Sequence, residues 1–201
     1  MATDESYHHG NLRAALLERA EAVLAEAGAE GLTLRGLARD LGVSHAAPAR
    51  HFRDRQALLD ALAVSGFTAL NARMRAAADG ARGPVGVRLA ELGQAYLGFA
   101  VGHTALLDLM FTAKHADGSS AELRELGHES LRIVAELMAE GQRDGAVREG
   151  DPVRLAQVAF STVHGLATLA VAGLLEDSPL PAMTELALEV VLAGLRPRSP
   201  S

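Results

Sequence analysis

Apolar residues recur three or four positions apart along most of the chain, which is the spacing of one helix face. A first run covers residues 11–27, and a second places Leu34, Leu37, Ala38 and Leu41 at this spacing. Thr33 precedes the second run in the position of an N-cap. Alternation typical of strands is absent, so the pattern predicts an all-α protein.

Further helices are predicted from the same periodicity near residues 55–78, 85–101, 104–113, 119–143, 152–175 and 181–195. Asp54 stands where it can cap the first of these. The sequence DGARGP at 79–84 breaks the pattern and is the predicted domain boundary. The ends, residues 1–6 and 196–201, are expected to be frayed, the latter as a disordered tail.

Between the second and third long runs lies GVSHAAPARHF, residues 42–52. Gly42 stands where a helix ends in a left-handed residue, Val43 is expected in the core, and Ser44 is expected to cap a short second helix. Pro48 is compatible with either of two arrangements. In the first arrangement the helix starts after Ser44, and the Ala47 N–H bonds to the Ser44 carbonyl. In the second the helix starts later, and Pro48 is its first residue.

The composition fits this interpretation. Of 201 residues 49% are hydrophobic, which suffices for a core, and the lack of cysteine excludes disulfides and thiolate sites. The net charge is −6, but residues 35–55 hold five arginines against two aspartates. Two helices joined by a tight turn, the second short and basic, are typical of a helix-turn-helix that binds DNA.

Residues 7–70 resemble the DNA-binding domain of the tetracycline-repressor (TetR) family. The matching segments are YHHGNLRAALLERAEAVLAEAG, LTLRGLARDLGVS, the RHF after the short helix, and DRQALL. FAVGHTALLDLMF (99–111) and FSTVHGLATL (160–169) resemble one branch of the family, with Phe160 in place of the tryptophan of a Trp-x-x-x-His-Gly signature.

The resemblance implies a helix-turn-helix DNA-binding domain at 7–53, a connecting helix at 54–78, and a helical effector-binding and dimerisation domain at 79–195. It also implies roles in DNA binding. His45, Ala46, Ala47 and Arg50 would face base edges, with Ser44 at the start of their helix. Thr33, Arg35, His51 and Arg55 would hold phosphates. Ala49 departs from the family, which usually has a phosphate-binding tyrosine there, and His8 and His9 would belong to an N-terminal arm near DNA.

The C-terminal half is expected to bind a small effector of unknown identity. The candidate pocket residues are Phe99, His103, Leu106, Met110, Phe111, Phe160 and His164. Methionine and phenylalanine at helical spacing also suit an ordinary core, and His164 suits either an effector anchor or a bond to a neighbouring helix.

Residues 155–175 carry no charge over 21 positions. Their polar residues and the lack of a basic flank favour a helix buried on nearly all sides over a membrane span. In a chain of this length such burial often needs a second subunit. The predicted homodimer interface comprises Ser161, Gly165, Thr168, Ala172, Leu186 and Val190. Two subunits would then present two recognition helices to a palindromic double-stranded DNA operator.

The sequence thus predicts a dimeric, effector-responsive transcriptional regulator, most simply a repressor. The alternative is a helical ligand-binding or interaction protein with weakened or lost DNA binding. No catalytic set, cofactor motif or metal site is predicted, so the chain is not expected to be an enzyme. The polar start predicts no signal peptide, and the protein is expected to be cytoplasmic.

Overall fold

The computed structural model describes residues 12–116, 118–175 and 179–197. Over these ranges the chain contains helices and no strand, which confirms the all-α fold class. The helices are α1 (Leu12–Ala27), α2 (Leu34–Asp40), α3 (Arg55–Gly80), α4 (Val85–Gly102), α5 (Thr104–His115), α6 (Ala121–Arg143), α7 (Pro152–Val171) and α8 (Leu180–Leu195). Short 3₁₀ turns lie at Ala29–Gly31 and Pro48–Arg50.

The chain divides into two compact units. The first contains the residues up to Gly66 together with His103–Arg124, and the second contains Phe67–Gly102 and the residues from Glu125 onward. Helix α3 contributes residues to both units. The domain boundaries predicted from the sequence stay predictions, and these units group α5 with the N-terminal helices.

In the first unit, capping residues fix where the helices begin. The Thr33 hydroxyl accepts a hydrogen bond from the Gly36 N–H at 3.0 Å, and the Asp54 carboxylate accepts one from the Ala57 N–H at 2.8 Å. Both predicted caps are therefore present. The helices enclose a core that includes Leu16, Leu24, Leu37, Phe52, Leu58 and Leu62.

Helix α5 belongs to the first unit because it lies close against α3 at Gly66. A Cβ at Gly66 would lie 2.5 Å from the Met110 sulfur and 3.2 Å from Leu106. Since no side chain fits in that space, glycine permits the close approach. Leu106 and Met110 are consequently packed core residues.

In the second unit, polar contacts join the later part of α3 to α6. The Asn71 amide donates to the Leu126 carbonyl at 2.9 Å and accepts from the Ser130 hydroxyl at 2.6 Å. Arg75 donates to Glu129 and Glu136 from the same side of α3. Because Asn71 and Ser130 are buried, these bonds satisfy polar groups that would otherwise be costly to bury.

Several helix ends differ from the prediction by a few residues, and two of these differences have a visible cause. Helix α7 ends at Val171 rather than 175, because Gly173 adopts a φ of 70° and the Leu174 N–H bonds back to the Leu169 carbonyl. Helix α6 begins at Ala121 rather than 119, where the Ser120 hydroxyl accepts from the Leu123 N–H. The predicted arm at His8 and His9, the frayed residues 1–6 and most of the predicted tail (198–201) lie outside the described residues.

Within the described ranges, no single helix combines the length and apolarity that a membrane crossing requires. The bent pair Val85–Gly102 and Thr104–His115 meets that test only when the two helices are taken together.

Replacement of Gly42 by alanine tests the left-handed turn that ends α2. Its φ of 66° is unfavourable for a residue with a Cβ, so Gly42→Ala should lower the free energy of unfolding by about 1–2 kcal/mol. The matched control is Gly98→Ala in α4, whose added Cβ would meet nothing within 4 Å. This control should raise the free energy of unfolding by about 0.5–1 kcal/mol. Urea unfolding followed by circular dichroism measures both, and an unchanged Gly42→Ala protein would contradict the assigned turn.

Candidate nucleic-acid interface and ligand cavity

The chain leaves α2 through a hydrogen-bonded turn. The Gly42 N–H donates to the Arg39 carbonyl at 3.1 Å, and the Val43 N–H donates to the Ala38 carbonyl at 2.9 Å. These two bonds and the positive φ of Gly42 form a Schellman motif, in which the last helix carbonyls are satisfied by the residues that follow. The direction of the following residues, 44–51, is therefore fixed by α2; these residues are named the recognition segment.

The recognition segment is a turn followed by one 3₁₀ turn, rather than the regular helix capped by Ser44 that the sequence predicted. Pro48 is the first residue of the 3₁₀ turn, and Ala47 precedes it without a side-chain cap. The physical reason is that Pro48 has no N–H to donate to the Ser44 carbonyl. The Ala47 N–H takes that carbonyl instead, at 2.9 Å. The structure thus has Pro48 as the first residue of the 3₁₀ turn, as in the second arrangement, and the bond from Ala47 to the Ser44 carbonyl, as in the first.

One side of the recognition segment is anchored and the other is exposed. Pro48 is buried, and Phe52, which directly follows the segment, is 2% exposed. The Arg13 guanidinium from α1 lies 5.5 Å from the centre of the Phe52 ring. His45 and Arg50 are exposed on the other side. The segment therefore offers side chains to a partner while its backbone is held by packing.

Most of the predicted DNA-binding residues are exposed. Thr33, Arg35, Ser44, His45, Ala46, Arg50 and Arg55 are exposed, whereas Ala47 and His51 are half-buried. Arg55 also has a structural role, because its guanidinium donates to the backbone carbonyls of Leu32, at 3.0 Å, and of Ala29. It ties the start of α3 to the loop before α2.

The predicted DNA-binding residues omitted two further exposed arginines. The side chains of Arg39 and Arg53 are 78% and 84% exposed, and each lies near an aspartate, Asp40 and Asp54 respectively. The hydrogen bond from the Ala57 N–H holds the pKa of Asp54 below its usual value, so that carboxylate stays charged and reduces the positive potential around Arg53. Arg39 and Arg53 could have been included from the sequence, because both lie in the arginine-rich stretch 35–55.

A small apolar cavity lies within the second unit. Its volume is about 30 Å³, which is space for only one or two water molecules. The cavity is lined by side chains of α3, α4, α6, α7 and α8: Met74, Leu89, Leu92, Gly93, Tyr96, Val134, Ala159, Phe160, Val163, Leu188, Val191 and Leu192.

An aromatic cluster adjoins this cavity. The Tyr96 hydroxyl lies 2.6 Å from the His164 Nδ1, and the Phe160 ring stacks on the His164 ring at 5.9 Å between centres. Burial lowers the pKa of His164 and raises the pKa of the Tyr96 hydroxyl, so both groups are uncharged near neutral pH. His164 thus bonds to a neighbouring helix, which is one of the two roles suggested for it, and its role as an effector anchor stays a prediction.

Of the seven predicted pocket residues, one lines the cavity described here. That residue is Phe160, and His164 contacts two of the lining residues. The other five, Phe99, His103, Leu106, Met110 and Phe111, do not line it. The Phe99 ring faces the Arg73 guanidinium at 5.4 Å, and His103 bonds to Glu21 through Nδ1 at 2.8 Å. Tyr96 was missed, although it is the only tyrosine beyond the N-terminal tail in the sequence.

Helices α7 and α8 expose apolar side chains on the faces turned away from the cavity. Val158 is 65% exposed, Val190 is 63% exposed, and Leu186 is 52% exposed. The predicted interface residues Ser161, Thr168 and Ala172 are also exposed, and Gly165 is half-buried. In the single chain α7 is therefore buried on one side only, and burial of its other side by a second subunit stays a prediction.

Together, a helix-turn-helix with an exposed basic recognition segment and an all-helical C-terminal part define a class of DNA-binding regulator. A family model described as "Bacterial regulatory proteins, tetR family" matches residues 16–62, and one described as "Tetracyclin repressor-like, C-terminal domain" matches residues 89–195. The chain belongs to the TetR family of transcriptional regulators.

Solved structures share the fold of this chain. The chain is similar to a protein of unknown function from Rhodococcus sp. RHA1, with a TM-score of 0.90, 47% identity, and coverage of 96% of this chain and 99% of that chain. The ketosteroid transcriptional regulator KstR2 of Mycobacterium tuberculosis gives a TM-score of 0.67 at 22% identity, covering 92% and 95% of the two chains. The fatty acid degradation regulator FadR from Bacillus halodurans gives 0.73 at 20% identity, covering 91% and 99%. These last two likenesses show the fold alone. No curated protein matches the chain.

The neutral state of His164 predicts a pH effect on stability. Because burial lowers its folded-state pKa below 6.5, the unfolded chain binds more protons just below that pH, and stability should fall as the solution is acidified through this range. His164→Gln retains a group that can bond to Tyr96 but cannot titrate, so the fall should be smaller. Urea unfolding of both proteins across this range measures the difference, and parallel pH profiles would contradict the prediction.

Proposed function

We propose that this protein is a dimeric repressor that a small-molecule effector releases from a palindromic operator. The observation that carries the proposal is the fixed and partly exposed recognition segment, because its backbone is anchored by Pro48 and its polar side chains face outward. Such a regulator acts in the cytoplasm, where bacterial DNA lies. Enzymatic activity forms no part of the proposal.

In this proposal the exposed side of the recognition segment enters the major groove. Arg50 can donate two parallel hydrogen bonds to a guanine, and His45, Ala46 and Ala47 lie beside neighbouring base edges. Thr33, Arg35 and His51 hold phosphates, which position the protein without reading sequence. Arg55 contributes mainly by positioning, since two of its donors already face backbone carbonyls.

The exposed apolar faces of α7 and α8 support a homodimer. Val158, Leu186 and Val190 would be removed from water if these helices paired with their copies around a two-fold axis in a four-helix bundle. The small residues Ser161 and Gly165 on the same side of α7 would permit close approach.

Release of DNA by the effector would depend on α7 and α8, because these helices line the cavity and also form the proposed dimer interface. Phe160 and Leu188 line the cavity, while Val158 and Val190 lie on the exposed faces of the same two helices. A ligand that enlarges the cavity would displace these helices and alter the pairing. It need only prefer one spacing of the two subunits by a few kcal/mol to lower DNA affinity strongly.

One observation favours the alternative of a helical binding protein with weakened DNA affinity. Residue 49 is an exposed alanine, where the family usually has a tyrosine that bonds to phosphate. Many phosphate contacts share the binding energy, so the loss of one lowers affinity without abolishing it. The repressor function is therefore preferred.

DNA selection tests the proposed base contact. Duplexes that bind the protein should be selected from a random pool and should be palindromic, and their affinity should fall steeply with salt concentration. Arg50→Ala should then weaken binding to the selected duplex by about 1–3 kcal/mol. The control is Arg143→Ala at the end of α6, which removes the same charge from an exposed side chain outside the proposed dimer interface and should have little effect.

Equal losses in the two arginine variants would contradict a specific role for Arg50. Failure to select any sequence at low salt would favour the alternative function. Ala49→Tyr separates the cases further, because it should tighten DNA binding if the recognition segment contacts the duplex and should change nothing if DNA binding has been lost.

Dimerisation through α7 and α8 is tested with a charge on the exposed face. Val190→Asp should convert the dimer to monomer, since pairing would bury an unpartnered carboxylate. Val87→Asp is the matched control, because Val87 is 48% exposed on α4 and lies outside the proposed interface. Sedimentation equilibrium gives the mass of each protein. A monomeric parent chain, or a Val190→Asp protein that remains dimeric, would contradict this interface.

A further inference from the structure

The lining of the cavity in the second unit restricts the chemistry of a ligand. Tyr96 is the one lining residue whose side chain carries an oxygen or nitrogen atom. That hydroxyl is paired with His164, which burial keeps neutral. The cavity therefore offers a single uncharged hydrogen-bonding site in otherwise apolar walls.

The arginines nearest in sequence to the lining residues have other partners. The Arg73 guanidinium lies over the Phe99 ring, 5.4 Å from its centre. Arg75 donates to Glu129 and Glu136, and Arg88 donates to the Ala78 carbonyl and to Glu140. None of the lining residues is an arginine, lysine or histidine. An ionised ligand placed in this cavity would consequently lose its hydration without gaining a counter-charge, which is strongly unfavourable.

The walls of the cavity can make room for a ligand larger than the present volume. A Cβ on Gly93 would lie 2.9 Å from the end of the Leu188 side chain, so α4 and α8 meet there through a flexible leucine tip rather than through backbone. Rotation of Leu188 and Leu192 would extend the cavity without breaking a hydrogen bond. Such a cavity suits a slender apolar ligand better than a polar one.

From this lining we infer that the effector is an uncharged, mainly apolar molecule with one hydroxyl or similar group, which bonds at the Tyr96–His164 pair. The inference rests on the proposed function for its regulatory meaning and on the cavity alone for its chemistry. A fatty alcohol belongs to this class, whereas the corresponding fatty acid, which is ionised at neutral pH, does not.

The test uses 1-octanol and octanoate as matched probes and methyl NMR of the full chain labelled at methionine. Met74 lines the cavity, and Met110 is an equally buried methionine that does not. Octanol should shift the Met74 methyl signal saturably and leave Met110 unchanged, and octanoate should bind at least tenfold more weakly. Spectra of Met74→Leu and Met110→Leu assign the two signals. Equal or tighter binding of octanoate, or no response of Met74 to octanol, would overturn the inference.

A cavity-filling variant locates the binding. Ala159→Leu should weaken octanol binding at least tenfold while the Met110 signal shows that the chain is folded; Val191→Phe replaces it if that variant does not fold. Undiminished binding in the folded variant would overturn the inference. The experiment is done without DNA, so a protein that binds octanol yet never binds or never releases DNA contradicts the proposed function and leaves the ligand class intact.

Discussion

Helices α7 and α8 each carry apolar residues on two faces, and one chain can bury only one of them. The inner faces contribute Val163 and Leu188 to the core of the second unit, while Val158 and Val190 remain exposed. Full burial of one such side chain contributes roughly 1.5–3 kcal/mol. The removal of the outer faces from water is the interaction on which the proposed assembly depends, because it would bring two recognition segments into one molecule.

The same pair of helices would connect ligand binding to DNA binding. Side chains of α7 and α8 form much of the cavity wall, so a ligand that separates them would also move the surface proposed to pair the subunits. Neither a chemical reaction nor a metal is needed for this coupling. The polar contacts that hold α3 to α6, through Asn71 and Arg75, would keep that side of the cavity fixed while α8 moves.

Features governed by neighbouring residues were predictable from the sequence. Thr33, Gly42 and Asp54 each act within three or four positions of themselves, and their roles as two caps and a turn were confirmed. The form of the recognition segment was only partly predictable, because the missing N–H of Pro48 shifts a hydrogen bond and leaves a 3₁₀ turn in place of a helix.

The cavity was much less predictable, because its wall combines residues from five helices. Tyr96 and His164 are 68 positions apart, and no local pattern indicates that they are bonded. Apolar residues such as Met110 and Leu106 have the same helical spacing as cavity residues, yet they fill the space beside Gly66. Only the packing of the helices decides which apolar face surrounds a cavity and which forms solid core.

Hydroxyl-radical footprinting on a selected duplex is the most direct test of two recognition segments joined by paired C-terminal helices. The predicted pattern is two protected windows on one face of the DNA, with centres about one helical turn apart. A single protected window, or two windows on opposite faces, would contradict the paired arrangement.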